Sequence, residues 1–212
     1  MGVNSKTFSP NQKTEKIKNK YELQDKKIFI YIGTLAKKRH LDIIVKAFSL
    51  VKKEVMNAKL LIVGDGDGKG ELEKLSTNLN LEKYIIFTGK IPYKSVPKYI
   101  CLADIGLSPI PPIDNYKLSS PTKMLEYMAC GIPVIGNREI MDMKNVISKS
   151  NGGILVDFNA ESFSTAMIRL AKNEELAKMK GEKGRQWINK NRSYEQIAMK
   201  VEKIYFKFIN SL

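Results

Sequence analysis

The sequence predicts an α/β fold: a Rossmann-like parallel six-stranded sheet with helices on both faces and a helical C-terminal tail. Six short segments are apolar at nearly every position, which is typical of strands that are buried on both faces of a parallel sheet. Segments with apolar residues at helical spacing separate most of these strands. Strands that alternate with helices in this way indicate repeated β-α units and one parallel sheet.

The strand candidates are, in chain order, residues 27–33, 58–64, 84–89, 105–110, 133–137 and 153–157. From residue 160 onward the pattern predicts helices alone, over 162–171, 174–189 and 194–209. The first 25 residues are polar and have no sustained periodicity. We therefore divide the chain into a linker-like segment (1–25), a Rossmann-like domain (26–192) and a C-terminal helix (193–212).

Composition limits the classes of function. The longest apolar runs are far below the roughly 18 residues of a membrane span, and the polar N-terminus has no secretory signal, so we expect a cytoplasmic protein. A formal charge of +14 attracts nucleic acid, anionic lipid or phosphorylated small molecules alike. The basic residues are spread along the chain and are not interleaved with aromatics, which favours a solvated lysine-rich surface over a nucleic-acid platform. Peripheral contact with an anionic membrane at its inner face is compatible with this charge.

Topology narrows the search for a site. In open parallel sheets the ligand binds beyond the carboxyl ends of the strands. The loops that follow the predicted strands there are 33–40, 64–70, 89–93 and 109–123. Within the first, Lys37, Lys38 and Arg39 precede a helix, and Arg39 can contact a diphosphate in bidentate fashion.

The most informative segment is SSPTKMLEYMACGIP, residues 119–133. Ser120 suits an N-cap and Pro121 the first position of a helix that runs to about residue 130. Lys123 opposes the helix dipole in the first turn, a conflict that a bound anion would resolve. Backbone N–H groups, the Ser120 and Thr122 hydroxyls and the Lys123 ammonium would together form a phosphate cradle.

Glu126 lies one turn further, in a helix that is otherwise suited to burial. A buried carboxylate needs a partner. The two hydroxyls of a ribose would supply one, and so would a structural lysine, and the sequence alone does not separate these two interpretations.

Five segments, YIGTLAKKRHLDIIVKAF, AKLLIVGDGDGKGELEKL, YIIFTGKIP, LADIGLSPI and SPTKMLEYMACGIPVIG, occur in the order and spacing of one family. The chain resembles the C-terminal domain of family-four (group 1) glycosyltransferases, which have the glycosyltransferase-B fold. The resemblance covers essentially the whole chain, and the opening GVNSKTFSPNQK is similar to the interdomain linker of that family.

The resemblance implies retaining transfer of a hexose-type sugar from a UDP- or GDP-sugar to a glycan or lipid-linked acceptor, without a catalytic metal or a separate cofactor. It implies catalytic roles for Arg39, Lys123 and Glu126, with Glu126 as the second glutamate of the E-x7-E motif and the ligand of the ribose. The residues expected to bind the nucleotide sugar are Gly33, Thr34, Lys38, Arg39, Gly64, Gly89, Ile91, Ser120, Pro121, Thr122, Lys123 and Glu126. It further implies an N-terminal glycosyltransferase domain, in the same or a separate chain, without which this half is inactive or weakly active. The C-terminal helix is expected to pack toward that domain.

The chain departs from the family pattern at two positions. Thr34 stands where the family often has arginine, and Leu118 stands where the first glutamate of E-x7-E would fall. The Asp65-Gly66-Asp67 triplet matches the DxD metal signature of another glycosyltransferase fold, but its setting fits the turn of this family better. Two alternative functions stay open: a nucleotide-sugar-binding or interaction module without turnover, and a basic nucleic-acid-binding domain.

Overall fold

The computed structural model describes residues 1–10 and 12–210, and it confirms the predicted fold class. All neighbouring strands are parallel, in the order β3-β2-β1-β4-β5-β6. The strands are β1 (Lys27–Ile32), β2 (Ala58–Val63), β3 (Ile85–Gly89), β4 (Ile105–Ser108), β5 (Val134–Asn137) and β6 (Gly153–Val156). The order reverses direction between β1 and β4, so the crevice for a ligand is expected at that point.

Helices fill the connections and the C-terminal part of the chain, as predicted. They are α1 (Glu15–Lys20), α2 (Asp42–Glu54), α3 (Lys69–Asn78), α4 (Val96–Ile100), α5 (Asp114–Lys117), α6 (Thr122–Ala129), α7 (Met141–Ser150), α8 (Ala160–Lys172), α9 (Glu174–Asn191) and α10 (Tyr194–Ile209). Short 3-10 turns occupy Lys37–Arg39 and Tyr93–Ser95. None of the helices in residues 1–10 and 12–210 is long and apolar enough to cross a bilayer.

The sheet separates two hydrophobic cores. Side chains alternate across β1, so Phe29 and Tyr31 face the core formed with α2, α3 and α8. Ile28, Ile30 and Ile32 face the other core, which α4, α6, α7 and the end of α9 complete. Burial on both faces explains why nearly every position of this strand is apolar.

Helix α6 lies directly against the sheet at β4. A Cβ atom on Gly106 would lie 2.5 Å from Cδ2 of Tyr127, so the absence of a side chain at this position lets the aromatic ring reach the sheet. The Tyr127 hydroxyl accepts a hydrogen bond of 2.9 Å from the backbone N–H of Ile32, at the end of β1. The two contacts fix the start of α6 beside the carboxyl end of β1.

The N-terminal segment is more structured than its sequence pattern indicates. Val3, Phe8 and Leu23 are buried, and the short helix α1 was not predicted. Val3 pairs with the junction between α9 and α10, where its N–H donates to the carbonyl of Arg192 at 3.0 Å. Helix α10 itself contains no buried residue.

The predicted N-cap of α6 was wrong by one position. The helix begins at Thr122, and Pro121 takes the N-cap position with extended backbone. The hydroxyl of Ser120 bonds to Asp142 instead of capping the helix, and the Met124 N–H is satisfied by the Pro121 carbonyl. The first turn therefore has no side-chain cap.

We predict that Gly106→Ala destabilises the fold by about 1 to 3 kcal/mol, because the added methyl group overlaps the Tyr127 ring. Gly70→Ala is the matched control, since a Cβ atom there meets nothing within 4 Å and alanine favours a helix by up to about 1 kcal/mol. Urea unfolding of both variants measures the difference. Equal unfolding midpoints would contradict this account of how α6 is placed.

Candidate functional site

Three glycines lie at strand ends at the carboxyl edge of the sheet, and two of them, Gly33 and Gly64, line a cleft there. Gly33, Gly64 and Gly89 all have positive φ angles, of 149°, 140° and 71°. The N–H of Gly64 donates to the carbonyl of Gly89 at 3.1 Å, and a Cβ atom on Gly64 would lie 1.9 Å from the carbonyl oxygen of Gly33. Glycine is therefore required where these backbones approach each other.

The cleft above these glycines has a volume of about 550 Å³. Its walls come from the loops after β1, β2 and β3 and from the first residue of α4. The lining residues are Ile32, Gly33, Thr34, Val63, Gly64, Asp65, Gly66, Lys90, Ile91 and Val96. Mostly apolar walls suit a flat heterocycle such as a nucleotide base.

Lys123, in the first turn of α6, borders this cleft. A Cβ atom on Gly33 would lie 3.0 Å from its Nζ atom. Nζ also lies 4.2 Å from the centre of the Tyr31 ring. Burial, and then the nearby charge of Arg39, lower the pKa of Lys123 to about 7, while Glu126 opposes this shift. Within the described part of the chain, Lys123 has no ion-pair partner.

Arg39 is the last residue of the 3-10 turn before α2, and its charge is close enough to Lys123 to lower the pKa of that lysine. Its Cζ atom lies 5.4 Å from the centre of the Tyr116 ring, on α5. The Nε atom is buried without a hydrogen-bond partner among residues 1–10 and 12–210. A buried guanidinium donor that is left unpaired is unfavourable, and an anionic ligand would satisfy it.

Glu126 is half-buried, and burial raises the pKa of its carboxyl group, with Lys123 as a smaller opposing influence. Its carboxylate does not come within ion-pair distance of Lys123 or of another cation in the described ranges. Lys123 acts on this carboxylate only through its nearby charge, so the choice between a ribose and a structural lysine as its partner stays a prediction. The carboxylate stays available to hydroxyl donors.

The other predicted ligands at the start of α6 differ in whether the protein already holds their side chains. The Ser120 hydroxyl donates to Asp142, whose other oxygen accepts from Nη2 of Arg192 at 2.5 Å. Pro121 is buried, and Thr122 is exposed at the first helical position. The phosphate cradle predicted from this segment thus lacks the Ser120 hydroxyl, because Asp142 holds it.

Other predicted positions lie at the margin. Thr34 is exposed and lines the cleft, and Lys38 is exposed beside Arg39. Leu118 is 76% exposed at the end of α5. The Asp65 carboxylate accepts from the N–H of Gly66 at 2.9 Å, and that of Asp67 accepts from the N–H of Lys37 at 3.1 Å. These two carboxylates stabilise the turns after β2 and β1.

Sequence reasoning missed the aromatic residues of the site. Tyr31 and Tyr116 each lie against one of the two predicted cations, although neither was proposed as a site residue. A tyrosine inside the buried strand KIFIYI was the available signal, because its hydroxyl needs a partner. The hydroxyl donates to the carbonyl of Thr34 at 3.1 Å.

Comparison with known proteins gives consistent matches. A family model described as glycosyl transferases group 1 matches residues 13–187. The chain is 31% identical over 192 residues to N-acetyl-alpha-D-glucosaminyl L-malate synthase of Bacillus anthracis. This match covers 90% of this chain and 48% of that protein. It is 24% identical over 191 residues to a GDP-mannose-dependent phosphatidylinositol monomannoside mannosyltransferase of Mycolicibacterium smegmatis, covering 88% and 50%. The chain therefore spans about half the length of these relatives.

Solved structures agree on the fold. The crystal structure of Alr3699/HepE from Anabaena in complex with UDP superposes with a TM-score of 0.79 at 14% identity, and the match covers 100% of this chain and 56% of that one. At such low identity the likeness establishes the fold alone. The family model covers most of the chain, and the relative from Bacillus anthracis is 31% identical to it. This chain therefore belongs to the group 1 glycosyltransferases.

Proposed function

We propose that this chain binds the donor, a UDP- or GDP-linked sugar, for a retaining and metal-independent glycosyltransferase reaction. One observation carries the proposal: Lys123 lies beside Gly33 in the wall of the cleft, Arg39 is near enough to lower its pKa, and neither cation is paired with a carboxylate among the described residues. Two neighbouring cations without counter-ions are electrostatically unfavourable, and a diphosphate would remove that penalty.

The donor would be divided among three parts of the site. The base would occupy the cleft beside Gly64 and Ile91, close to Gly89 at the end of β3. The diphosphate would lie between Arg39 and Lys123, near the N-terminus of α6, whose free N–H groups favour an anion. The ribose hydroxyls would donate to the carboxylate of Glu126.

This arrangement supports catalysis through the leaving group. In the transfer, the bond between the sugar carbon and the diphosphate oxygen breaks, and the diphosphate leaves with the electron pair. The acceptor oxygen forms the new bond, and its proton passes to the departing diphosphate. Cations placed where negative charge develops lower the barrier, so we assign catalytic roles to Arg39 and Lys123 and a donor-orienting role to Glu126.

We propose that the sugar is of the hexose type and that the acceptor is a glycan or a lipid-linked molecule bound by another part of the enzyme. The relatives are about twice as long as this chain, so this half alone would be inactive or weakly active. Helix α10 supports a partner domain, because Ile204, Tyr205 and Phe206 are each more than half exposed. We place the protein in the cytoplasm, with peripheral contact to an anionic membrane through its basic surface.

We predict that UDP or GDP, and the corresponding nucleotide sugars, raise the melting temperature of the chain by mass action. Lys123→Met combined with Glu126→Gln should abolish the increase, because the double variant loses the ammonium and the ionised carboxylate while keeping side chains of similar size. Differential scanning fluorimetry across a ligand series measures the effect, and isothermal titration gives the affinity.

Lys149→Met is the matched control for that experiment, since it removes one exposed positive charge near the far end of α7. Its ligand response should equal that of the wild type. An undiminished shift in the double variant would remove the site assignment. Duplex DNA that binds more tightly than any nucleotide sugar at physiological salt would favour the nucleic-acid function instead.

We also predict that the stability of the ligand-free protein rises between about pH 7 and about pH 9 because of Lys123. Its folded pKa of about 7 lies below the ordinary lysine value of 10.5, so in this interval the unfolded chain binds the proton that the folded chain has released. Stability therefore increases with pH, and Lys123→Met should flatten the increase. Urea unfolding at both pH values measures the slope.

Lys149→Met again serves as the control and should keep the slope of the wild type. Lys52, Lys59 and Lys180, whose pKa values burial also lowers, contribute in the same direction in every variant. Only the difference between variants is therefore informative. An unchanged slope in Lys123→Met would mean that this ammonium is not desolvated in the folded chain.

A further inference from the structure

The two cations at the cleft are held by aromatic rings. Nζ of Lys123 lies 4.2 Å from the centre of the Tyr31 ring, and Cζ of Arg39 lies 5.4 Å from the centre of the Tyr116 ring. Both distances are within the roughly 6 Å at which a ring face attracts a cation. Lysines elsewhere make contacts of both kinds: Lys37 pairs with Glu71, whereas Nζ of Lys52 lies 4.1 Å from the centre of the Tyr84 ring. What distinguishes Lys123 is that its ring contact lies beside the cleft, next to Gly33.

A ring and a carboxylate hold a cation with different consequences. A carboxylate cancels the charge, and an incoming diphosphate would have to compete with it. A ring attracts the cation through its quadrupole and carries no net charge, so it does not cancel the charge of the protonated ammonium. Burial raises the pKa of Tyr31 to about 12, which keeps its hydroxyl neutral at physiological pH.

The Tyr31 ring is itself fixed in place. The side chain is 1% exposed and packs in the core beneath α2 and α8. Its hydroxyl donates to the carbonyl of Thr34 at 3.1 Å, across the turn that contains Gly33. The ring therefore gives the long and flexible lysine side chain a defined position beside that glycine.

We propose that Tyr31 is a positioning residue that holds the Lys123 ammonium at the border of the cleft with its charge uncompensated, and that Tyr116 does the same for Arg39. The inference rests on the proposed function, because the charge is held for the diphosphate of a nucleotide sugar. It adds two residues that contact the cations and not the donor.

A purely structural role for Tyr31 makes different predictions. If the ring only fills the core, its replacement lowers stability and weakens every ligand to the same degree. If it positions Lys123, the loss is confined to ligands that carry a diphosphate. It also disappears when Lys123 is already absent, because two residues that act through one contact are not additive.

The experiment measures UDP and GDP affinity by isothermal titration and uridine and guanosine affinity by NMR titration. Tyr31→Phe, which keeps the ring face, should bind the diphosphates within about 2-fold of the wild type. Tyr31→Met should bind them about 3- to 10-fold more weakly, as expected from the usual strength of a cation-π contact. Nucleoside affinity should not change, and Tyr31→Met should add no further loss to Lys123→Met. Tyr116→Phe and Tyr116→Leu test Arg39 in the same way.

Equal diphosphate affinity in Tyr31→Met and the wild type would overturn the inference, and so would an equal loss of nucleoside affinity or additivity with Lys123→Met. If Tyr31→Met does not fold, phenylalanines with increasing fluorination at position 31 keep the shape and weaken the ring face. A steady decrease in diphosphate affinity along that series supports the inference, and a flat series overturns it. A wild type that binds UDP and GDP no more tightly than their nucleosides would instead overturn the proposed function and this inference with it.

Discussion

The contact between the Tyr127 ring and Gly106 determines where α6 begins, and the site depends on that position. A larger residue at position 106 would push the helix away from β4, because even one added carbon atom would lie 2.5 Å from the ring. The Tyr127 hydroxyl, which accepts from the N–H of Ile32, then sets the height of the helix relative to the end of β1. Lys123 lies one turn earlier on the same helix, and its ammonium group therefore lies beside Gly33. A packing requirement in the core thereby fixes the position of a charge at the edge of the sheet.

The ion pairs of the other lysines show how the environment of Lys123 differs. Several exposed lysines have carboxylate partners, among them Lys46 with Asp42 and Lys172 with Glu54. Such exposed pairs contribute little to stability. Lys123 and Arg39 lack such partners in the described ranges even though they are partly buried, where an unpaired charge is more costly. The formal charge of +14 is therefore less informative than these two positive charges, which the fold partly buries without a carboxylate partner. Residues that lower stability without an evident structural gain are typical of functional sites.

The sequence predicted the fold well, because apolar strands and periodic helices are local patterns that burial on two faces reinforces. All six strands and the helical C-terminal part lie where these patterns indicated, within a few residues. The partners of individual side chains were less predictable, since they depend on which elements the topology brings together. Tyr31 and Lys123 are 92 positions apart in the chain, and nothing near either residue specifies the contact. The short helix α1 was also missed, because one turn and a half offers too little periodicity to recognise.

Ser120 illustrates what this limit means for the site. Local rules favoured its hydroxyl as a helix cap or a phosphate ligand, since serine at the start of a helix commonly serves either purpose. In the fold, the hydroxyl bonds to Asp142, which Arg192 neutralises from the end of α9. Nη1 of Arg192 also donates to the backbone of Met1, so this small network ties the entry of α6 to the place where the N-terminal segment meets the start of α10. The polar groups left to receive an anion at α6 are the Lys123 ammonium, the Arg39 guanidinium, the Thr122 hydroxyl and the free backbone N–H groups. Two of these four kinds of group carry charge, so electrostatic attraction, more than a complete set of hydroxyl donors, must dominate any binding at this end of the helix.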